Sequence, residues 1–189
     1  MRIIAGEYRG RKLKSPPSLQ TRPTSDRLRE TLFNILAPQI DGARFLDLCA
    51  GSGAIGIEAL SRGAAHVTFV DRSRKMCALI EANLHSLGVT ENETDVVCSE
   101  ATEFLRGTTK RANRERWDLV FFDPPYSADY TMALELMDTG AALDQSSLLV
   151  IEHHHKNDLP AELSALQRVR VLKQGDSCLS FYETSQAAG

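Results

Sequence analysis

Residues 45–56 of the chain read FLDLCAGSGAIG, and this stretch decides the fold. A short apolar run that carries one acid, Asp47, leads directly into the spacing Gly51-x-Gly53-x-x-Gly56. This order is typical of a buried strand, a tight turn and a helix start in an α/β sheet that binds a nucleotide-containing cofactor. It predicts a strand near 44–49, a helix near 54–62 and a cofactor at the turn between them.

The rest of the chain continues this alternation. Further strands are predicted near 66–71, 94–99, 117–122 and 147–152, and helices near 73–87, 101–106, 129–139 and 158–165. Two closing strands near 167–173 and 177–183 flank Gln174-Gly175-Asp176, which indicates a hairpin. Strands that alternate with helices predict an α/β fold, with a mostly parallel sheet covered by helices on both faces. The hairpin adds an antiparallel pair at the edge.

The segment before the sheet has its own pattern. Two short strands, 2–5 and 11–13, are predicted around a glycine-containing turn, and a loop from Ser15 to Pro23 follows. Residues 24–26 offer an N-cap for a helix that continues to about Ala37. We therefore divide the chain into a basic N-terminal hairpin extension (1–20), a Rossmann-like domain (21–184) and a flexible tail (185–189).

The composition is that of an ordinary globular domain. Of 189 residues, 42% are hydrophobic and 25% are charged. The sequence contains no apolar run of membrane-spanning length, and its four scattered cysteines lack a metal-type spacing. The N-terminus has no long apolar core after Arg2, so we expect no secretory signal. We expect reduced thiols, a cytoplasmic location, a monomer and no metal.

Charge is distributed unevenly along the chain. Residues 1–30 hold eight Lys or Arg against three acids, a net charge of +5, whereas the other 14 basic and 22 acidic residues give −8. A basic arm on an otherwise acidic chain indicates contact with a polyanion such as nucleic acid. A solvated charged face is the alternative interpretation.

Asp47 distinguishes between two cofactor classes. A carboxylate at this strand end would repel the pyrophosphate of a dinucleotide, whereas S-adenosylmethionine presents an ammonium and a sulfonium. Asp71, at the next strand end, can accept both ribose hydroxyls, and Glu100, after the third strand, can accept from the adenine amine. The predicted cofactor site consists of Asp47, Ala50, Gly51, Ser52, Gly53, Asp71, Arg72, Glu100, Ala101 and Asp123. Alternatively, Asp47 is a helix-capping acid, and backbone amides beside Glu100 read the ring.

The predicted fourth strand ends in Asp123-Pro124-Pro125-Tyr126. Two consecutive prolines cannot continue a central strand, because neither can donate to the ladder. The Asp123 carboxylate and the Pro124 carbonyl can accept both N–H groups of an exocyclic amine, which favours the pyramidal nitrogen of a methyl-transfer transition state. Tyr126 can stack on a nucleobase. We therefore predict Asp123, Pro124 and Tyr126 as catalytic residues of an amino-methyltransferase.

These motifs, together with residues 2–13 (RIIAGEYRGRKL) and 22–34 (RPTSDRLRETLFN), resemble the RsmD family of bacterial 16S rRNA (guanine(966)-N(2))-methyltransferases. The glycine and proline motifs are shared with many amino-methyltransferases, whereas the N-terminal block is specific to this family. The resemblance implies a class I, Rossmann-like methyltransferase with a seven-stranded sheet.

The resemblance also implies the ligands. The donor would be S-adenosylmethionine, which leaves S-adenosylhomocysteine, and the acceptor would be a guanine of 16S rRNA in the small ribosomal subunit or its assembly intermediate. The N-terminus would face the RNA, with Arg9, Arg11, Arg22 and Arg27 as contacts. Any of these arginines could instead form a structural ion pair.

One feature departs from this pattern, since His153, His154 and His155 follow Glu152 at a strand end. Three consecutive histidines point in different directions, so we expect a solvated loop near the substrate entrance rather than a metal site.

Two other functions remain compatible with the residues. Asp-Pro-Pro-Tyr also suits adenine N6 or cytosine N4 of DNA or another RNA, although the chain has no obvious target-recognition domain. A non-catalytic ribosome-assembly factor is the other alternative, but such a protein has no need of an amine receptor.

Overall fold

The computed structural model describes residues 1–15, 25–110, 116–125, 130–140 and 142–185. The strands are β1 (Arg44–Leu48), β2 (His66–Asp71), β3 (Thr94–Cys98), β4 (Trp117–Phe122), β5 (Leu143–His154), β6 (Leu166–Gln174) and β7 (Ser177–Thr184). The helices are α1 (Asp26–Leu36), α2 (Ala54–Ser61), α3 (Arg74–Leu87), α4 (Ala101–Lys110) and α5 (Tyr130–Thr139). None of these helices has the length and apolar character needed to cross a membrane. The loop predicted after Ser15, the side chains of Arg22 and Tyr126, and tail residues 186–189 lie outside the described residues.

All seven strands form one sheet in the order β3-β2-β1-β4-β5-β7-β6. Strands β1 to β5 run parallel to one another, and β7 lies antiparallel between β5 and the edge strand β6. The strand order reverses between β1 and β4, which is the switch point at which α/β sheets open a ligand crevice. The predicted α/β fold with a mostly parallel, seven-stranded sheet is confirmed.

The sheet buries a hydrophobic core on each face, because successive strand residues point to opposite sides. Phe45 of β1 and Phe121 of β4 belong to the core under α1, α2 and α3. Their neighbours Leu46 and Phe122 belong to the core under α4 and α5. On β1, β4 and β5, alternate residues therefore face the α1, α2 and α3 layer, and the residues between them face the α4 and α5 layer.

Helix α1 begins as predicted, because the Ser25 hydroxyl accepts the Leu28 N–H at 3.2 Å and caps the helix. Its buried face includes Leu32, Phe33 and, unexpectedly, the cation Arg29, which is 1% exposed. The Arg29 guanidinium donates to the Arg2 carbonyl at 2.6 Å and to the Asp26 carboxylate at 3.0 Å. Arg29 therefore ties the N-terminal segment to the domain.

The N-terminal segment is also anchored by a buried carboxylate on α2. Glu58 is completely buried and accepts the backbone N–H groups of Ile4 at 2.8 Å and Ala5 at 3.0 Å. Arg62 donates to the same carboxylate at 2.8 Å, so the charge of Glu58 is paired. Two paired strands were predicted over residues 2–5 and 11–13, but the structure has only one antiparallel bridge there, between Arg2 and Lys12. The N–H groups of Ile4 and Ala5 donate to Glu58 instead of to a second strand.

Two further expectations need correction. The helix predicted over 158–165 is absent, because backbone N–H groups of Ser164 and Ala165 donate to the Asp138 carboxylate at 3.0 and 2.7 Å instead of to a helical turn. The histidine run is not a solvated loop. Antiparallel pairing with β7 extends β5 to His154, and His153 is buried with Nε2 2.9 Å from the Ser180 hydroxyl.

The close packing of α2 on the sheet generates a stability prediction. A Cβ added at Gly56 would lie 2.3 Å from the Phe69 ring and 2.8 Å from Val67, both in the core. Gly56→Ala should therefore lower the free energy of unfolding by about 1–3 kcal/mol. In Gly107→Ala on α4 the new Cβ meets nothing within 4 Å, and a helical alanine should be neutral or stabilising. Denaturant melts of both variants test the packing, and equal stabilities would contradict it.

Candidate active site

The candidate site lies at the carboxyl ends of β1 and β4, where the strand order reverses. The Asp123 N–H donates to the Leu48 carbonyl at 3.3 Å, which brings the proline turn after β4 beside the glycine turn after β1. Pro124 is buried and Pro125 is exposed. The sheet therefore brings together two motifs that are more than 70 residues apart in sequence.

Two carboxylates hold the glycine turn through backbone hydrogen bonds. Asp47 is 2% exposed and accepts the N–H of Gly56, in the first turn of α2, at 2.9 Å. Asp71 accepts the Gly51 N–H with one oxygen and the Ser73 N–H, at the start of α3, with the other, both at 2.8 Å. The helix-capping interpretation of Asp47 is thus realised in the structure. Each of these carboxylate oxygens has lone pairs beyond the bond it accepts.

The backbone of the turn requires its glycines. Gly51 and Gly53 have φ of 56° and 76°, in the left-handed region that residues with a Cβ seldom adopt. Cys49, between β1 and the turn, adopts a φ of 62° despite its side chain. Such a strained residue is consistent with a functional turn, although no sequence motif singled out Cys49.

Four acidic side chains are concentrated around Cys49 in the site. Burial, together with the charges of the surrounding carboxylates of Asp71, Asp123, Asp47 and Glu100, raises the pKa of the Cys49 thiol to about 12. These four acids were all predicted as cofactor residues, and the fold gathers them around one turn. A cationic ligand would be favoured in this field, whereas a pyrophosphate would be repelled.

Two of these acids have raised pKa values, which disfavours their anionic forms. The pKa of Asp47 is raised to about 7, chiefly by burial and also by the charge of Asp71, although the hydrogen bond from the Gly56 N–H opposes the shift. Burial also raises the pKa of Asp123 well above its usual value, and the carboxylates of Glu152 and Asp47 raise it further. Perturbed carboxyl groups in a crevice are characteristic of functional sites.

The outer part of the predicted cofactor site lies at the ends of β2 and β3. Arg72 and Glu100 are both more than half exposed and form an ion pair at 3.5 Å. Ala101, the residue after Glu100, is the first residue of α4 and is buried. Glu100 is therefore engaged with a cation at the rim, and its approach to an adenine amine stays a prediction.

Three of the four predicted RNA contacts lie within the described residues. Exposed Arg9 and Arg27 line one groove of about 360 Å³, together with Arg2 and the acids Asp26 and Glu30. Arg11 is also exposed, but it does not line this groove and instead donates to the Ser86 carbonyl at 2.6 Å. Arg9 and Arg27 thus share a groove that does not include Arg11.

Asn83 of α3 connects the glycine turn to the N-terminal segment, a role that no sequence pattern indicated. It is completely buried, and its amide N–H groups donate to the Ser52 carbonyl at 3.3 Å and the Lys14 carbonyl at 3.2 Å. Its amide oxygen accepts the Lys14 N–H at 2.8 Å. The glycine turn is therefore linked through one side chain to the basic N-terminal segment.

The histidine run contributes to one potential metal-binding group in the described part of the chain. Ligand atoms of His154, His155 and Asp176 lie within 4.8 Å of one another. The two imidazoles stack with centroids 4.4 Å apart, and His154 Nδ1 accepts the Lys156 N–H at 3.1 Å. These residues are distinct from the predicted catalytic residues Asp123 and Pro124.

Comparison with known proteins identifies the family. A family model described as "Conserved hypothetical protein 95" matches residues 1–183. Over 163 residues the chain is 41% identical to "Ribosomal RNA small subunit methyltransferase D" of Escherichia coli, covering 85% of this chain and 78% of the relative. The chain belongs to the RsmD family. The resemblance noted from the N-terminal block and the two motifs is confirmed.

Other relatives agree with this RsmD membership along the whole chain. "Putative rRNA methyltransferase YlbH" of Bacillus subtilis is 38% identical over 184 residues, covering 97% of this chain and 98% of the relative. The solved structure "Putative methyltransferase yhhF from Escherichia coli" superposes with a TM-score of 0.84 at 37% identity, covering 98% of each chain. Both similarities extend over the glycine turn, the proline turn and the N-terminal segment.

The buried position of Asp47 generates a pH-dependent prediction. Its pKa rises from 3.8 to about 7 on folding, so its contribution to stability is present below pH 3.8 and is lost as the pH rises through 7. Asp47→Asn removes this titration. From pH 4 to pH 8, the variant should therefore gain stability relative to the wild type by up to about 4 kcal/mol, at about 1.4 kcal/mol per pKa unit.

Denaturant unfolding of the two proteins across this pH range measures the difference. Glu81→Gln, which removes a charge from the exposed face of α3, is the matched control. A constant difference between Asp47→Asn and the wild type would show that folding does not shift the pKa of Asp47.

Proposed function

We propose that this protein transfers a methyl group from S-adenosylmethionine to the exocyclic N2 amine of a guanine in 16S rRNA, at the position equivalent to guanine 966. The observation that carries the proposal is the Asp123–Pro124 turn, which the Asp123 N–H to Leu48 bond holds against the glycine turn. An amine acceptor thus adjoins a negatively charged cofactor crevice. Family membership and the names of the relatives support ribosomal RNA of the small subunit as the substrate.

The charge of the crevice supports the choice of donor. The sulfonium and ammonium of S-adenosylmethionine would enter a site in which Asp47, Asp71 and Asp123 surround the turn at Cys49. Their positive charge would favour the ionised form of the buried acids, whose pKa values burial now raises. Asp71 would bind the ribose, and the left-handed backbone at Gly51 and Gly53 lets the chain approach the cofactor closely.

The acceptor amine would be held by the chain's own groups. When bound, S-adenosylmethionine supplies a methyl group on a positively charged sulfur. The Asp123 carboxylate and the Pro124 carbonyl would each accept one N–H of guanine N2, which directs its lone pair and favours the pyramidal nitrogen. Transfer would form the N–C bond and break the S–C bond, which would leave S-adenosylhomocysteine and a cationic, acidic N2. Asp123 would then accept the N2 proton.

The RNA itself would lie across the N-terminal segment. The groove lined by Arg9 and Arg27 presents exposed guanidinium groups to a phosphate backbone. Arg22 is predicted to extend this surface. Asn83 joins Lys14 to Ser52, so the RNA-facing segment and the cofactor turn share a buried contact.

The proposal as a whole is tested by mapping the modified nucleotide. Labelled S-adenosylmethionine is incubated with the protein and with small-subunit RNA or particles from cells that lack it. We expect one labelled guanine, modified at N2, in 16S rRNA. Label on adenine, on cytosine or on DNA would favour the alternative acceptors, and absence of transfer to any substrate would overturn the proposal.

Asp123 provides the sharpest single-residue prediction. Asp123→Ala and Asp123→Asn remove the anionic acceptor of the amine and should lower the rate of methyl transfer by at least about 100-fold. The affinity for S-adenosylmethionine, measured by calorimetry, should stay within a few-fold. Asp118→Asn, an exposed change at the other end of β4, is the matched control and should stay active. A parallel loss of cofactor binding would contradict the role given to Asp123.

Removal of charge from the N-terminal groove tests the RNA surface. Arg9→Ala and Arg27→Ala should weaken RNA binding, and each should reduce the slope of log affinity against log salt by about one for every phosphate that the missing guanidinium neutralised. Lys173→Ala, an exposed change on the far edge strand β6, is the control with the same charge change. An unchanged slope in the arginine variants would move the RNA surface elsewhere.

A further inference from the structure

Glu152, near the end of β5, is a buried carboxylate with no role in the function proposed so far. It is 5% exposed, although glutamate is seldom buried. In the parallel pairing of β4 and β5, Phe122 lies opposite Ile151, so Asp123 and Glu152 are the next residues on adjacent strands. Neighbouring strands lie about 4.8 Å apart, and the amine receptor therefore has a second carboxyl group beside it.

The alternation of side chains indicates that the two acids share one face of the sheet. Phe121 of β4 and Val150 of β5 both belong to the core under α1, α2 and α3. Asp123 comes two residues after Phe121, and Glu152 comes two residues after Val150, so both acids lie on that same face of the sheet. Their charges also interact, because the Glu152 carboxylate raises the pKa of Asp123. Glu152 is thus close enough to Asp123 to contact the same ligand.

An amine receptor alone does not choose among nucleobases. Guanine N2, adenine N6 and cytosine N4 each offer two N–H groups, which the Asp123 carboxylate and the Pro124 carbonyl would accept equally well. The atom next to the amine differs. Guanine carries a donor, N1–H, at that position, whereas adenine N1 and cytosine N3 carry lone pairs. A desolvated carboxylate at this place would accept from guanine and repel the other two bases.

We propose that Glu152 accepts the N1–H of the acceptor guanine and thereby makes the site selective for guanine over adenine and cytosine. This inference rests on the proposed function, since it assigns a second hydrogen bond to the same bound base. Guanine would present N1–H to Glu152 and N2–H to Asp123. The charge of Glu152 raises the pKa of Asp123, and a bound guanine would donate one hydrogen bond to each of these neighbouring carboxylates.

The test uses RNA in which the acceptor guanine is replaced by 2-aminopurine, which keeps the exocyclic N2 amine but has a lone pair at N1. The wild type should methylate the guanine RNA with a kcat/KM roughly 10- to 100-fold above that for the 2-aminopurine RNA. In Glu152→Gln, the amide can donate to the 2-aminopurine N1. In this variant, kcat/KM should fall on the guanine RNA and stay the same or rise on the 2-aminopurine RNA. The ratio of the two kcat/KM values should therefore fall at least about tenfold.

Glu183→Gln, the same chemical change at an exposed position on β7, is the matched control and should keep the wild-type ratio. An unchanged ratio in Glu152→Gln would overturn the role of Glu152. If that variant does not fold, the wild type alone decides, because equal rates on the two RNAs also overturn it. Absence of wild-type transfer to the guanine RNA would instead count against the proposed function, so the two failures are distinguishable.

Discussion

The hydrogen bond from the Gly56 N–H to the buried Asp47 carboxylate is the constraint on which the site depends. It joins the end of β1 to the first turn of α2 across the glycine turn. The bond forms only because Gly56 has no side chain, so that α2 can lie against the Phe69 ring of β2. Asp71 secures the other side of the turn through Gly51. The glycine turn is thus held in place by hydrogen bonds from backbone N–H groups to two carboxylates.

The acidic residues of the site and the basic residues of the N-terminal segment lie in different parts of the fold. Carboxylates gather at the carboxyl edge of the sheet because Asp47, Asp71 and Asp123 each lie near the end of a parallel strand. The basic residues of the N-terminal segment lie outside this edge, on a segment held by Glu58 of α2 and Asn83 of α3. Under the proposed function, the cationic S-adenosylmethionine would bind at the acidic sheet edge and the polyanionic RNA at the basic N-terminal segment. The hydrogen bonds of Asn83 to Ser52 and Lys14 connect these two regions.

Prediction from the sequence succeeded where local chemistry and periodicity agree. The glycine turn, the proline turn and the Ser25 cap of α1 require particular residue types, and all three lie where they were expected. It failed where a distant partner decided the outcome. Asp138 captured the N–H groups of the segment predicted as helix 158–165, and pairing with β7 drew His153 into the sheet. The partner in each case is more than 20 residues away in sequence.

The fold class, the glycine turn and the proline turn could be predicted from the sequence, because a strand end, a glycine spacing and a proline pair are local properties of the chain. Only the tertiary structure decided which groups surround them. Burial of Arg29 and Asn83, the strained turn at Cys49 and the position of Glu152 beside Asp123 all depend on strand register and helix packing. Register brings residues from separate strands side by side, and no short sequence pattern encodes which residues those are.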